Sequence, residues 1–574
     1  MLHDRLLAFA TFRGDGRPDI VSLGRSKVPW IQNYDPLGVA WASTLASAIP
    51  VLLLLVLIGG FRVRAHVAAL AALGVAIATA VLAYRMPWQL AAGAAALGAG
   101  YGLLPIGWMV LNILFLYRLT VDRGLFGSLQ GQIAAITPDR RLQLLLIAFS
   151  FGAFFEGCAG FGAPVAITGA MLVGLGFAPV SASRLALIAN TAPVAFGSLG
   201  APIIALAAVT GLPIGDLSAM VGRQLPFFSI LVPFWLVTAF AGWRGMCEVW
   251  PAVLVAGTAF AVPQFIVSNF HGPWLVDVVS AISSIGFLAL FLRRWQPKRL
   301  WTGPDESADP QPPAPATQTA HALPRWRAWM PWLILSGGVF LWGLPQVKQA
   351  LDHLFAPQIP FWLDGLVTRM PPVVAAPHRE AAIYSFNLLS TTGTGILVSA
   401  VIAGFAMGVR PGDMARIYGA TLRIAALPLL TIAAMLALGY VTRYSGADTV
   451  LGLALARTGW FYPFFGTLLG WLGVAATGSD TASNVLFGGL QKTSAARIGI
   501  SPVLMAAANS SGGVMGKMAD AQSIVVAATA TGIRGREAEI LRYVFFHSIA
   551  LVTLVALLVL GQAYFWPFNL MVVR

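Results

Sequence analysis

The chain has 574 residues, of which 58% are hydrophobic and only 10% are charged. Soluble globular domains carry about 25% charged residues, so this composition excludes an ordinary soluble protein. The formal net charge of +14 could suggest a nucleic-acid partner. Lys and Arg instead gather in short loops between apolar segments, as they do on the cytoplasmic side of membrane proteins. We therefore expect the lipid bilayer as a partner and no nucleic acid.

The chain opens with a polar N-terminal segment, residues 1–35, which contains several charged residues and no uninterrupted apolar core. It is therefore not predicted to be a cleaved secretory signal. Apolar windows of roughly 20 residues, long enough to cross a bilayer, then recur along the chain, as at 37–60, 227–243 and 545–566. We count about 12 to 14 such transmembrane segments, several interrupted by Gly or Pro. The sequence predicts an all-α polytopic membrane protein.

A segment rich in Pro, Ala and polar residues, 302–324, separates a first membrane half (36–301) from a second (325–574). Its composition cannot bury a core and is typical of a flexible linker. Basic residues flank it on both sides, which favours a cytoplasmic position.

The two halves resemble each other weakly. Laying Asn190 over Asn509 also matches Ala189 with Ala508. In each half a carboxylate in a glycine-rich apolar break precedes an Asn/Gly break. This pattern suggests the internal repeats of secondary transporters, whose sites lie at discontinuous helices near the middle of the membrane.

Five stretches rich in small residues interrupt apolar segments, at 156–164, 190–202, 386–395, 477–491 and 509–523. Gly and Pro there free backbone polar groups, which persist in a membrane only where protein buries them or a wet cavity lies alongside. The N-terminus of a half-helix offers amide donors and a positive dipole end to a carboxylate. Close helix packing by small residues is the alternative for any single stretch. Several stretches with polar groups together favour a binding site.

Four ionisable residues lie in these breaks: Glu156, Asp480, Lys517 and Asp520. Charged residues inside membranes usually face a cavity or a partner. We expect Glu156 to carry a coupled proton, with Asp480 as the next candidate; capping of nearby amides is the alternative for both. Lys517 and Asp520 would share a helix face, so Lys517 either attracts an anionic substrate or neutralises Asp520.

These motifs resemble the lactate permease family of secondary ion transporters. The resemblance rests on FGAFFEGCAGFGAPVAI (151–167), PVAFGSLGAPI (193–203), FNLLSTTGTGIL (386–397), GWLGVAATGSDTASNVLFGGLQ (470–491) and AANSSGGVMGKM (507–518). It implies uptake of lactate, and often of glycolate, together with protons. It also implies two inverted repeats with broken helices or re-entrant hairpins that meet at a central site.

The chain departs from the family pattern at one place. Ala519, Asp520 and Ala521 stand where the family tends to read Ile-Ser-Pro. The change adds a carboxylate and removes a proline beside the expected site, so substrate preference or coupling could differ.

We therefore expect a proton symporter of small 2-hydroxymonocarboxylates (L-lactate, also D-lactate or glycolate) in a bacterial inner membrane. It would be a multi-pass transporter and not an enzyme, with no cofactor or metal; a homodimer is an open option. The substrate carboxylate would lie on half-helix N-termini at 160–162 and 510–513. The predicted proton-coupling residues are Glu156, Asp480 and Asp520. The predicted substrate-binding residues are Gly160, Phe161, Gly162, Asn190, Thr191, Ser198, Thr392, Ser479, Thr481, Asn484, Asn509, Ser510, Ser511, Gly512, Gly513, Lys517 and Gln522.

Alternatives stay open. The chain could carry another organic anion, or couple to Na⁺ through Asp480 with Thr477, Ser479 and Ser483, because a hard cation takes oxygen ligands. Asp480 and Asp520 could instead form the catalytic pair of an intramembrane aspartyl protease, although a protease does not need paired breaks in both halves. A channel would conduct without saturable, proton-dependent accumulation.

Overall fold

The computed structural model describes residues 11–12, 18–19, 29–57, 61, 63–158, 163–301, 325–371, 376–533 and 536–573. The predicted linker at 302–324 and most of the polar N-terminal segment lie outside these residues. Their assignment remains a prediction.

The described chain is built almost entirely of helices. Those before the linker are α1 (Ala40–Leu55), α2 (Ala65–Leu82), α3 (Trp88–Tyr101), α4 (Trp108–Asp122), α5 (Leu125–Ala134), α6 (Arg140–Leu144), α7 (Gly152–Cys158), α8 (Ala163–Gly174), α9 (Pro179–Ala189), α10 (Gly197–Thr210), α11 (Ile214–Val221), α12 (Leu225–Phe270) and α13 (Val276–Leu292). Those after it are α14 (Arg325–Gly343), α15 (Pro345–Leu354), α16 (Thr392–Ala406), α17 (Pro411–Ser445), α18 (Ala447–Leu455), α19 (Tyr462–Thr477), α20 (Asp480–Ile498), α21 (Pro502–Gly516), α22 (Ala521–Ala530) and α23 (Glu537–Tyr564).

Short segments complete the backbone. π-Helical turns at Gly102–Gly107 and Leu145–Phe151 join α3 to α4 and α6 to α7, and 3₁₀ turns lie at Val194–Phe196, Ala456–Phe461, Lys517–Ala519 and Phe568–Met571. The strands are β1 (Thr11–Phe12), β2 (Pro18–Asp19), β3 (Trp30–Ile31), β4 (Gln358–Pro360), β5 (Val367–Arg369), β6 (His378–Arg379) and β7 (Ile383–Ser385). Strand β5 pairs in parallel with β3 and antiparallel with β6, whereas β1–β2 and β4–β7 are antiparallel pairs.

Within the described residues, five helical runs are long and apolar enough to cross a membrane, and two bent helix pairs raise the number to seven. One bent pair is α9 with Val194–Thr210, which turns by 65°. Five further apolar helices are 10–17 residues long. The prediction of a polytopic helical membrane protein with broken helices is confirmed. Fewer helices are long enough to cross a membrane than the roughly 12 to 14 segments expected from the sequence, because Gly and Pro divide several segments into shorter helices.

The outer surface of the bundle is apolar. Large side chains such as Leu82, Phe270 and Phe546 are exposed, at 79%, 81% and 71% of their surface. A soluble monomer rarely exposes extensive apolar surface. These side chains therefore face lipid, and the chain is a multi-pass membrane protein.

Helix α23 runs from one membrane face of the fold to the other. Near its start, Glu539 pairs with Arg184 of α9 at 2.7 Å. At its end, the ring of Tyr564 stacks on Trp460, which precedes α19, with ring centroids 5.4 Å apart. A rise of 1.5 Å per residue places the two contacts about 37 Å apart, more than the roughly 30 Å hydrocarbon core of a bilayer. The Arg184 side chain of α9 and the start of α19 therefore lie at opposite membrane faces.

The face at the start of α23 is basic, and we call it the basic face. Arg536 and Arg184 both pair with Glu539 there. The guanidinium of Arg140 lies over the ring of Phe177 in the turn before α9, 5.2 Å from its centroid. Arg141 donates to the carbonyl oxygen of Arg299 at 3.0 Å. The loops before α6, before α9 and after α13 therefore meet on the same side as the start of α23.

Two helical hairpins enter the membrane from opposite faces. The first hairpin (α6–α8) has its open end at the basic face, where Gly176 after α8 adjoins Arg140. The second hairpin (α19 and α20) has its open end at the opposite face, where the hydroxyl of Tyr462 donates to Gln491 at 2.7 Å. A broken helix follows each hairpin: α9–α10 after the first and α21–α22 after the second. This arrangement is the expected inverted repeat.

Helices α9 and α21, which begin the two broken helices, both start with proline, at Pro179 and Pro502. Asn190 follows the end of α9, whereas Asn509 lies inside α21. The match of Asn190 with Asn509 stays a prediction.

Candidate functional site

The hairpin tips and the helix breaks converge inside the protein. The ammonium of Lys517, in the break between α21 and α22, donates to the carbonyl oxygen of Gly478 at the tip of the second hairpin, at 2.6 Å. Near the tip of the first hairpin, Glu156 packs against Gly197 of the other broken helix; a Cβ placed on Gly197 would lie 2.7 Å from Oε1 of Glu156. Lys517, Asp520 and Asn190 face the Glu156 carboxylate. Elements far apart in sequence thus form one polar centre.

A buried network ties the second hairpin to its neighbours. Asp480 accepts hydrogen bonds from Ser510 at 2.5 Å and from Asn484 at 3.3 Å. Asn484 also donates to the carbonyl oxygen of Pro202 in α10, at 3.2 Å, and accepts from Asn509 at 2.9 Å. Among the described residues, Oδ1 of Asp480 has no hydrogen-bond partner. The amides of Asn484 and Asn509 therefore link helices, and a polar acceptor stays unsatisfied at the centre.

A cavity of about 700 Å³ reaches this centre. Its inner end is lined by Gly478, Ser479, Thr481, Lys517, Asp520 and Gln522. Its walls are largely apolar and include Ile106, Ala201, and Ile432 and Met435 of α17. Arg64, His66 and Glu537 line the end toward the basic face.

Two helix N-termini face the inner end of the cavity. Ser479 caps α20 by accepting from the amide of Ala482 at 3.2 Å, and Asp520 caps α22 by accepting from the amide of Ser523 at 2.7 Å. Lys517 lies between them, with its ammonium 3.5 Å from Oδ2 of Asp520. Helix N-termini carry partial positive charge and free amide donors. Together with the ammonium they form an end of the cavity suited to a carboxylate.

Apart from Thr392, the predicted site residues fall into three groups. Ser479, Thr481, Lys517, Asp520 and Gln522 line the cavity. A second group is buried around or behind it and does not line it: Glu156, Asn190, Thr191, Ser198, Asp480, Asn484, Asn509, Ser510, Ser511, Gly512 and Gly513. The last group, Gly160, Phe161 and Gly162, lies outside the described residues.

Several predicted residues have local structural contacts. The hydroxyl of Thr191 donates to the carbonyl oxygen of Ile188 at 2.8 Å. Gly512 packs against the backbone of Thr467, so its lack of a side chain permits close contact between α19 and α21. Thr392 begins α16 and does not line the cavity; its neighbour Gly393 accepts a hydrogen bond from Asn112.

Sequence reasoning missed two features. Asp277, in the first turn of α13, is a fully buried carboxylate beside the first hairpin. A single Asp in the apolar run VDVVSAISSIGFLALFL is the same signal that singled out Glu156, and it could have been found. The cavity wall from α17, including Ile432 and Met435, has no such signal, because apolar residues of membrane helices face lipid and cavities alike.

Comparisons with known proteins agree along most of the chain. A family profile described as L-lactate permease matches residues 43–566. An L-lactate permease of Salmonella typhimurium is 45% identical over 546 residues, which cover 93% of this chain and 98% of the relative. An L-lactate permease of Bacillus subtilis is 44% identical over 555 residues, covering 93% and 98%. A glycolate permease of Escherichia coli is 47% identical over 556 residues, covering 94% and 98%.

Proposed function

This chain belongs to the L-lactate permease family, and from that premise we propose that it takes up L-lactate, D-lactate and glycolate by proton symport across the bacterial inner membrane. The named relatives are permeases for L-lactate and for glycolate. Both acids are small 2-hydroxymonocarboxylates, so one site can hold either if it recognises the carboxylate and the neighbouring hydroxyl.

One observation carries the proposal: Lys517 and the N-termini of α20 and α22 meet at the inner end of one cavity. The substrate carboxylate binds there, because it accepts hydrogen bonds from Lys517 and from the two helix N-termini. Hydrogen bonds to a charged group are worth about 1.5–3 kcal/mol. The hydroxyls of Ser479 and Thr481 and the amide of Gln522 line the same end and bind the 2-hydroxyl group. The apolar wall accommodates the methyl group of lactate.

Coupling follows from the charges that face Lys517. Glu156 and Asp480 both lie within electrostatic range of its ammonium. When Glu156 is ionised, its carboxylate competes with the substrate anion for Lys517. When Glu156 takes a proton, one of the charges that compete for the ammonium is removed, while Asp520 stays 3.5 Å from it, and the loaded site carries less net negative charge across the membrane.

The cavity extends toward the basic face, where Arg64, His66 and Glu537 line it. Positive charge in short loops marks the cytoplasmic side, so this is the state that releases substrate inside the cell. On the opposite side, Arg443 of α17 donates to the carbonyl oxygen of Ala208 at 3.2 Å, and Lys492 donates to that of Thr210 at 2.6 Å. These cations hold the C-terminal end of α10 closed against the second membrane half.

The test is uptake of labelled L-lactate into proteoliposomes with an imposed inward proton gradient. We expect accumulation that collapses with a protonophore and that unlabelled D-lactate and glycolate inhibit by competition. Accumulation that follows a Na⁺ gradient at fixed pH would contradict proton symport. Folded protein that accumulates no 2-hydroxy acid under either gradient would contradict the assignment of substrate.

A further inference from the structure

A second buried carboxylate lies beside Glu156. Asp277 occupies the first turn of α13 and is 1% exposed. It packs directly against Gly157, the residue after Glu156: a Cβ placed on Gly157 would lie 2.8 Å from Cβ of Asp277. The two carboxylates therefore belong to one cluster, formed by the first hairpin and α13.

This cluster holds several polar atoms without partners. Among the described residues, both carboxylate oxygens of Asp277, Oε2 of Glu156 and the hydroxyl of Ser280 lack a hydrogen bond. Ser280 lies one turn after Asp277 and shares its face of α13. Asn190 faces Glu156, yet its amide reaches no partner at hydrogen-bond geometry within the described part of the chain. Buried polar groups are normally hydrogen-bonded. This concentration of unpaired polar groups therefore indicates that the cluster binds a ligand or a proton.

The surrounding charges distinguish between a bound ligand and a bound proton. Glu156 faces Lys517 and Asp520 across the helix breaks. Asp277 faces Glu156 and the Cys158 thiol, and within the described residues no Lys, Arg or His pairs with it. Burying an unpaired charge is very costly, and two carboxyl groups that share a site resist ionising together. The pair is therefore stable only when it holds at least one proton.

Asp277 and Glu156 lie at a similar depth in the membrane. Helix α13 ends at Leu292, next to Arg293 and Arg294, in the loops of the basic face. Asp277 lies at the other end of α13, about 24 Å along the helix axis. Glu156 lies 16 residues after Arg140 of the basic face and is the member of the pair that adjoins Lys517 and Asp520.

We propose that Asp277 is a second proton-binding residue, which exchanges the coupled proton with Glu156. In the transfer the O–H bond of the Asp277 carboxylic acid breaks and an O–H bond forms on Glu156, so Asp277 becomes the carboxylate and Glu156 the acid. Ser280 and Asn190 supply polar atoms along the cluster. This inference rests on the proton symport proposed above, and it adds a residue and a route to it.

The first experiment compares two transport modes in Asp277→Asn. Exchange of labelled for unlabelled L-lactate at equal pH needs no net proton movement, whereas uphill uptake driven by a proton gradient does. We expect Asp277→Asn to retain exchange and to lose uphill uptake, and Asp277→Glu to recover part of the uphill uptake. Asp216→Asn, in the first turn of α11, is the matched control and should retain both modes.

The outcomes separate the two proposals. If the unmodified protein shows no proton-driven uptake, the proposed function fails. If it does show proton-driven uptake and Asp277→Asn matches it, the role of Asp277 alone is overturned. Loss of exchange together with uphill uptake in folded Asp277→Asn would also overturn this role, because it would mean that Asp277 serves binding and not coupling.

A second measurement needs no variant. A hydrophobic carbodiimide reacts with protonated carboxyl groups in apolar surroundings, and mass spectrometry locates the adduct. We expect an adduct on Asp277 in the unmodified protein that declines as pH rises. Absence of the adduct at acidic pH, in protein that is labelled elsewhere, would overturn the proposal even if Asp277→Asn does not fold.

Discussion

The ammonium of Lys517 and the carbonyl oxygen of Gly478 are joined by a hydrogen bond of 2.6 Å, although 39 residues separate them in the chain. This bond links the break of the second broken helix to the tip of the second hairpin. Lys492 makes a bond of the same length to the carbonyl oxygen of Thr210, away from the cavity lining. Both lysines donate to a backbone carbonyl oxygen, but Lys517 lines the cavity and Lys492 does not.

We predict that Lys517→Gln weakens L-lactate binding by about 10- to 100-fold, because it removes a charge-assisted bond worth about 1.5–3 kcal/mol. Lys492→Gln removes a lysine with a similar carbonyl contact and should change the affinity much less. Binding by purified protein, measured by calorimetry or by competition, checks both. Equal losses in the two variants would show that Lys517 acts through structure and not through the substrate.

We predict that Glu156→Gln abolishes uphill L-lactate uptake and preserves folding and some exchange. The amide matches the carboxyl group in shape but cannot release a proton, so the coupling step is removed. The measurement is accumulation in proteoliposomes under a proton gradient, with exchange at equal pH as the control for folding and binding. Uphill uptake at the normal rate in this variant would contradict the role of Glu156.

Helix packing gives a prediction about stability. A Cβ on Gly98 of α3 would lie 2.8 Å from Cα of Ala437 in α17, whereas a Cβ on Gly74 of α2 would meet nothing within 4 Å of the described atoms. Overpacking usually costs about 1–3 kcal/mol, so Gly98→Ala should lower the melting temperature. Gly74→Ala should leave it equal or higher, since alanine favours helix more than glycine does. Thermal melting in detergent compares the two, and equal melting temperatures would contradict the close α3–α17 contact.

An ion-pair cluster on the face opposite the basic face gives a further prediction. Arg443 lies 3.2 Å from Glu380 and also donates to the end of α10, and Glu380 lies 2.8 Å from Arg369. Removing Arg443 from this largely buried cluster leaves Glu380 with Arg369 as its remaining ion-pair partner among the described residues and so reduces the compensation of its charge. We expect Arg443→Gln to cost about 1.5–3 kcal/mol.

The control is Arg416→Gln. Arg416 is 77% exposed and pairs with Asp413 on one turn of α17, and exposed pairs are worth about 0–1 kcal/mol. Arg443→Gln should therefore melt well below Arg416→Gln in the same detergent. If both variants melt together, the cluster around Arg443 does not hold the two membrane halves closed.

Much of the candidate site could be predicted from the sequence, because the cost of a charged side chain in lipid depends on its own segment and not on distant ones. A carboxylate such as Glu156 or a lysine such as Lys517 is costly inside an apolar segment, so its presence there already indicates a function. Asp277 gave the same signal and was missed, because it lies in no glycine-rich stretch. The register between the two halves stays a prediction, since small residues align equally well at several offsets.

By itself, the sequence determined the membrane class and indicated the breaks, because each follows from the hydropathy and backbone chemistry of a single segment. The division into two halves by the segment 302–324 stays a prediction. The tertiary structure decided which breaks meet, that the hairpins enter from opposite faces, and that Ser479, Thr481, Lys517 and Gln522 line the cavity while Asn484 and Asn509 bind to their neighbours. These outcomes depend on contacts between segments far apart in the chain. Such contacts are made by the combined packing of many small and apolar side chains, none of which carries a local signal of its partner.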